Sequence, residues 1–201
     1  MRTRVWQRKV ANPLALAVLA ELMVEPMHPY EIGRRLKAHG SDRNIKYNRS
    51  SLYMVAEQLT KAGFIAMRET VRDTLRPERT VYALTDEGRR ELHDWLCELV
   101  AQPRSEYPQF GLALSLLSVL APAEAVELLT ERLARITASA GRIRETMQSA
   151  RAEGVLWVFL IDDEYELALL EAERHLVAGL VESLKRPAYI RAWQETLGSQ
   201  K

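Results

Sequence analysis

The sequence predicts a mainly α-helical protein in two parts: helices closed by a two-stranded hairpin, then an all-helical remainder built on long antiparallel helices. Three observations carry this. Apolar residues recur at helical spacing to about residue 62, alternate as strand-like runs between 64 and 84, then return to helical spacing. A polar stretch with two prolines, Ala101–Pro108, interrupts the helical pattern and separates a first domain, 1–100, from a second, 109–201. Charge is also uneven: residues 1–85 carry 15 Lys+Arg against 8 Asp+Glu, and residues 86–201 carry 13 against 19.

The basic first part suits a polyanion and the acidic remainder does not, although solvated surface alone also produces such a split. No apolar run approaches the ~20 residues needed to span a bilayer. The basic start MRTRVWQRKV is not followed by the apolar core and cleavage site of a signal peptide. A single cysteine, Cys97, cannot form an internal disulfide. Together these predict a cytoplasmic protein with no membrane association.

The first helix runs from Pro13 to Val24, with proline in the first turn, where its missing N–H costs nothing. Leu14, Ala17, Val18 and Leu22 form its stripe, and Pro26 and Pro29 end it. A second helix, Tyr30 to Ala38, carries Tyr30, Ile32, Gly33 and Leu36 inward and Arg34, Arg35 and Lys37 outward. A third is capped by Asn48 or Ser50 and ends at Gly63. Its apolar stripe is Leu52, Val55, Ala56 and Leu59, opposite Ser50, Tyr53, Glu57 and Lys61. Residues 64–71 and 80–84 read as strands joined by a charged tip, Arg72 to Arg79. Thr85 caps a fourth helix that opens on Asp86 and Glu87 and continues through Leu92, Trp95, Leu96 and Leu99.

Beyond the linker come a short apolar helix, Gln109–Leu120, and a long one from Pro122. Val126, Leu129, Leu133, Ile136, Ala140, Ile143, Met147 and Ala150 alternate spacings of three and four, a coiled-coil-like seam. Residues 155–184 offer the matching stripe through Leu156, Leu160, Leu167, Leu170, Val177, Val181 and Leu184. One chain can satisfy both stripes as a hairpin. A second subunit is favoured because a two-helix hairpin has little core of its own.

Three helices followed by a β-hairpin make a winged helix-turn-helix, whose third helix enters the major groove and whose hairpin lies beside the duplex. Arg49 suits a guanine or phosphate, Ser50 and Ser51 permit close approach, and Tyr53 and Lys61 suit phosphates. Arg72, Arg76 and Arg79 on the wing suit phosphate or the minor groove, or form a solvated tip. Tyr53 is alternatively a core-edge aromatic. The arm Arg2, Arg4, Arg8 and Lys9 is either a loose tail or a further set of phosphate contacts.

Three segments resemble the PadR family of transcriptional regulators. Pro26-Met27-His28-Pro29-Tyr30-Glu31-Ile32 is similar to the family's turn into its second helix, with Pro29 where glycine is usual. Ser50-Ser51-Leu52-Tyr53, with Leu59 and Ala62-Gly63-Phe64-Ile65, resembles the recognition helix and its exit, with Met54 where proline often follows the tyrosine. Arg79-Thr80-Val81-Tyr82-Ala83-Leu84-Thr85-Asp86-Glu87-Gly88 is very like the second wing strand and the helix after it. The acidic remainder resembles the longer helical C-terminal domain of one branch. The resemblance implies a homodimer that represses promoters by binding double-stranded operator DNA and is released by a small effector.

Trp95, Trp157 and Phe159 are candidates for an aromatic effector pocket, with Asp162 and Asp163 suited to a cation; as ordinary core they need no ligand. Asp162, Asp163 and Glu164 also suit a helix start. His93 and Cys97, four apart on one helix, lack further ligands, so no metal is expected, and Cys97 is expected to be a buried, inert thiol. No cofactor motif or catalytic constellation is present, which excludes an enzyme as the leading expectation. The remaining alternative is a protein-interaction module on a winged-helix scaffold that does not read DNA.

Overall fold

A computed structural model of the chain describes residues 8–40, 45–73, 76–103 and 105–197, with the side chains of 69–79 outside the description. The chain forms two compact units, Met1–Ser105 and Glu106–Lys201. The first holds α1 (Pro13–Val24), α2 (Pro29–Ala38), α3 (Arg49–Ala62), β1 (Ile65–Asp73), β2 (Arg76–Leu84) and α4 (Asp86–Ala101). Each helix starts where the sequence supplies a cap. Asn12 accepts from the Leu14 N–H, and Thr85 accepts from the Gly88 N–H. His28 Nδ1 accepts from Tyr30 N–H, which places α2 one residue earlier than expected, with Pro29 at its first position.

The third helix is fixed at both ends. Asn48 Oδ1 accepts from Ser51 N–H at 2.8 Å, and Ser51 Oγ accepts from Asn48 N–H at 2.8 Å, a reciprocal capping box. At the other end Gly63 takes φ 82°, so the Gly63 and Phe64 N–H groups turn back onto the Thr60 and Leu59 carbonyls. Leu52, Val55, Ala56 and Leu59 are the buried residues of α3. Burial contributes roughly 1.5–3 kcal/mol for each large one, so rotating the helix by a third of a turn is prohibitive. The core that receives them comprises Leu14, Val18, Leu19 and Leu22 of α1, Ile32 and Leu36 of α2, Ile65, and Leu92 and Trp95 of α4.

The wing is longer than expected. β1 and β2 pair antiparallel from Ile65↔Leu84 to Asp73↔Arg76, with irregular register between Met67 and Glu69 and between Val71 and Asp73. Arg72, Arg76 and Arg79 therefore lie within strands, not in a loop. Met27 adds an isolated bridge to Tyr82, with N–H···O distances of 3.0 and 3.1 Å, and ties the α1–α2 turn to the wing. On α4, Leu96 and Leu99 are exposed, so its buried side is narrower than predicted.

The second unit holds α5 (Gln109–Ser115), a 3₁₀ turn at Leu117–Val119, α6 (Pro122–Ala152), a 3₁₀ turn at Trp157–Phe159, α7 (Ile161–Leu184) and α8 (Pro187–Thr196). The expected helix over 109–120 is thus split, α7 begins six residues later than the apolar stripe suggested, and α8 was not anticipated. Gly154, at φ 83°, closes α6. Arg151 pairs with Glu164 and Arg144 with Glu171: seven residues back along α6 is seven forward along α7, so the two helices run antiparallel. Leu129, Ile136, Ala140, Ile143 and Met147 are buried, with Val177, Val181 and Leu184 facing from α7. The intrachain hairpin therefore occupies the heptad seam. Asp162, Asp163 and Glu164 form the first turn of α7, as expected at the positive end of a helix.

Candidate nucleic-acid interface

With its stripe buried, α3 presents Arg49, Ser50, Tyr53, Met54, Glu57, Gln58 and Lys61 to solvent. Tyr53 is 38% exposed, so it is a surface group and not a core-edge one. Two neighbours hold its ring. The His28 ring meets it edge-on at 5.8 Å and 74°, and the Arg49 guanidinium lies 5.9 Å from its centroid. His28 had been read only as part of a turn. It caps α2 and steadies Tyr53 together, which no local spacing reveals.

The other predicted groups differ in availability. Arg49 and Ser50 are exposed at the helix entrance. Ser51 is half-buried, and its hydroxyl is engaged in the cap, also donating to the Asn48 carbonyl at 2.8 Å. Lys61 Nζ lies 2.6 Å from Glu57 Oε1, and this hydrogen bond, then the Lys61 charge, holds the Glu57 carboxyl below its ordinary range. An ammonium has three donors, so the pair leaves Lys61 capacity for a phosphate. Lys9, Asn12, Gln58 and Lys61 line one concavity where the chain entering α1 passes the end of α3. The side chains of Arg72, Arg76 and Arg79 lie outside the described residues, as do Arg2 and Arg4.

Arg8 does not belong to a loose arm. Its guanidinium lies 2.5 Å from both Glu91 and Glu98, 5.0 Å from the centre of the Trp95 ring, and its side chain is 8% exposed. Positions 91, 95 and 98 share one face of α4. Burial works against the charge, but the hydrogen bonds that Arg8 donates to Glu91 and Glu98, with the charges of those carboxylates, outweigh it and raise the Arg8 pKa above its ordinary value. Lys9 lies 5.6 Å from the Phe64 ring centre.

The aromatic candidates are not gathered within either unit. Trp95 is buried in the first unit's core beneath Arg8, while Trp157 and Phe159 are 62% and 70% exposed on a turn of the second. Trp157 Nε1 donates to Glu164 at 3.0 Å, and Glu164 also pairs with Arg151. Asp163 is buried. Cys97 is exposed, contrary to expectation, with Sγ 3.8 Å from the His93 ring nitrogens. Among the described residues no cluster of three or more His, Cys, Asp or Glu could hold a metal. Nor is any described helix long and apolar enough to cross a membrane.

A capped third helix with a polar outer face, an isolated bridge at Met27 and a β-wing define a winged-helix DNA-binding regulator. The family model of the PadR-like transcriptional regulators matches residues 16–94. The chain is 32% identical over 142 residues to the negative transcriptional regulator PadR of Bacillus subtilis (strain 168), covering 68% of this chain and 76% of that one. It also matches the crystal structure of B. subtilis PadR in complex with operator DNA at a TM-score of 0.65 and 27% identity, over 85% of this chain and 97% of that one. B. subtilis PadR in complex with p-coumaric acid matches at 0.65 and 24%, over 83% and 98%, which attests the fold. The chain belongs to the PadR-like family, whose members are transcriptional regulators and not enzymes.

Proposed function

We propose that this protein is a homodimeric cytoplasmic repressor that reads an operator through α3 and the wing and is released by a small-molecule effector. The observation that carries DNA reading is the outer face of α3, where Arg49, Ser50, Tyr53 and Lys61 stand on a helix whose rotation the buried stripe fixes. Lys9 adds charge beside that face, and the three wing arginines belong to the same proposal. Met54, half-exposed next to Tyr53, suits a thymine methyl where the family more often has proline.

The dimer is supported by apolar groups that the hairpin leaves uncovered. Leu112, Leu116, Val119, Leu156, Trp157, Phe159, Tyr165 and Leu169 are all at least half exposed, and apolar surface of this kind, where contiguous, marks an interaction site. Two copies would present two α3 helices to half-sites of a palindrome.

The test is fluorescence anisotropy with operator DNA recovered by genomic selection, against scrambled duplex, with light scattering for oligomeric state. Specific binding that weakens steeply with salt is expected. Arg49→Ala or Tyr53→Ala should each cost about 1–3 kcal/mol of binding without altering the melting temperature. Equal affinity for operator and scrambled DNA would reject sequence reading. No DNA binding even at low salt would favour the protein-interaction alternative.

A further inference from the structure

Tyr53 stands on the outer face of α3, and a tyrosine on a helix has two χ1 wells open to it, which aim its hydroxyl in different directions. Two neighbours bear on that choice. The Arg49 guanidinium lies 5.9 Å from the ring centroid, but Arg49 is an exposed, flexible side chain of the same helix and is itself suited to DNA. His28 is the fixed neighbour, its ring meeting the Tyr53 ring edge-on at 5.8 Å and 74°. Three restraints place it. Its Nδ1 accepts from Tyr30 N–H at 3.1 Å, as the N-cap of α2. Buried Pro29 follows it at the first position of that helix. Met27, before it, is bonded to Tyr82 of β2 in both directions, at 3.0 and 3.1 Å. The imidazole is thus mounted where α2 meets the wing, and it packs against the one aromatic side chain of α3.

We infer that His28 is a positioning residue for operator reading: it holds the Tyr53 hydroxyl in its DNA-facing orientation before DNA arrives, and touches no DNA itself. The inference rests on the DNA contact proposed above for Tyr53 and adds a residue outside α3 on which that contact depends. An edge-on aromatic pair stabilises one placement of the ring. The cost of ordering the side chain is then met on folding and not on binding, which is how preorganisation raises affinity. Because Met27 fastens the same turn to β2, the imidazole also keeps Tyr53 in fixed register with the base of the wing.

The two tasks of the imidazole separate by substitution. His28→Asn keeps a side-chain oxygen for the α2 cap and removes the ring, whereas His28→Phe keeps a ring and removes the acceptor. Each is made in the full chain, alone and with Tyr53→Ala. Binding to the operator duplex recovered by genomic selection is read by fluorescence anisotropy at several salt concentrations. His28→Asn should weaken binding about two- to tenfold, the cost of ordering one side chain on association. Its salt slope should not change, because a tyrosine hydroxyl releases no counterion. His28→Phe should lower the melting temperature by about 5 °C through the lost cap and keep affinity within about twofold of wild type. With Tyr53→Ala already present, His28→Asn should cost no further affinity. An equal loss with and without Tyr53 overturns the inference, since His28 then acts by another route. So does wild-type affinity in His28→Asn, or His28→Phe binding as weakly as His28→Asn. A salt slope reduced by about one also overturns it, because His28 would then meet a phosphate as a cation. Wild-type protein that binds operator and scrambled duplex alike, or Tyr53→Ala that binds as tightly as wild type, removes the underlying DNA contact and the inference with it. Additive losses with that contact intact remove the positioning role alone.

Discussion

Alanine at position 88 should destabilise the winged-helix unit, although it replaces glycine inside a helix. Propensity alone predicts a gain of roughly 1 kcal/mol. The packing predicts the reverse. A β-carbon at Gly88 would fall 2.0 Å from the Phe64 carbonyl oxygen, 2.9 Å from its carbon and 2.8 Å from Leu84 Cδ1. The leucine methyl can rotate away, but the carbonyl cannot, because it accepts from Thr85 N–H at 3.1 Å and shares the Thr85 hydroxyl proton, at 2.9 Å, with the Gly63 carbonyl. A tolerable carbon–oxygen contact needs about 3.3 Å, so α4 and the start of β1 must part by more than 1 Å. Overpacking of this kind costs about 1–3 kcal/mol. Weakening two hydrogen bonds adds about 0.5–1.5 kcal/mol each. Less the propensity gain, the net loss is about 1–5 kcal/mol, centred near 3. Urea unfolding followed through Trp95, which is buried in the same unit, reads it directly. Gly141 of α6 is the control, since nothing lies within 4 Å of its β-carbon position. Gly141→Ala should raise stability by up to ~1 kcal/mol. A Gly88→Ala midpoint at or above wild type would refute the packing argument.

Further expectations concern charge. Glu57→Gln releases Lys61 from its partner, so operator affinity should rise and its salt dependence steepen, both read by anisotropy at several salt concentrations. Arg8→Met removes the Arg8 cation from two part-buried carboxylates and should cost about 2–3 kcal/mol in urea unfolding, part of which Glu91→Gln in the same chain restores. In the second unit, the Glu171 carboxyl is held below its ordinary range first by a hydrogen bond from Arg174; burial opposes this, and a hydrogen bond from Arg144 and the charges of both arginines add to the lowering. A lowered folded pKa gives stability that is present above the ordinary carboxylate range and lost as pH falls through the lowered value. Thermal melts below about pH 4 should therefore show Glu171→Gln losing less stability than wild type; parallel decline of the two proteins would rule this out.

What could be read from the sequence was what neighbouring residues determine. The α3 stripe at 52, 55, 56 and 59 needs only a 3.6-residue period, Gly63 only the rule that helices end on a left-handed residue, and Thr85 only its hydroxyl before two acids. The wing's length needed more. Pro77 and the surrounding charges suggested a loop, yet in a two-stranded sheet every strand is an edge, and an edge tolerates a proline and solvated charge. The heptad seam of α6 was periodic enough to locate but not to assign, since the same stripe serves an intrachain partner or a second subunit. The ion pairs Arg144–Glu171 and Arg151–Glu164 identify the partner as α7, and they link residues 27 and 13 positions apart. The dimer proposal accordingly moves from that seam to the exposed Leu112–Val119 and Leu156–Leu169 groups.

Arg8 and Arg49 show why the interface was harder to read than the fold. Both are arginines in basic stretches, and both suited a phosphate. Arg49 opens a helix whose buried side is set by its own next ten residues, so its exposure follows from local pattern. The fate of Arg8 depends on Glu91 and Glu98, 83 and 90 positions away, and on the indole between them, and nothing near residue 8 encodes that. The same holds for His28, whose contact with Tyr53 joins the first turn of α2 to the proposed DNA face. A basic patch in a sequence therefore counts cations without saying which are free. Here Lys9 and Arg49 remain beside the proposed DNA face, Lys61 is shared with Glu57, and Arg8 is used to fasten the chain entering α1 to α4. Neutralising Arg8 should accordingly lower stability, whereas neutralising Arg49 should lower affinity, and that separation is what distinguishes a structural cation from one that reads DNA.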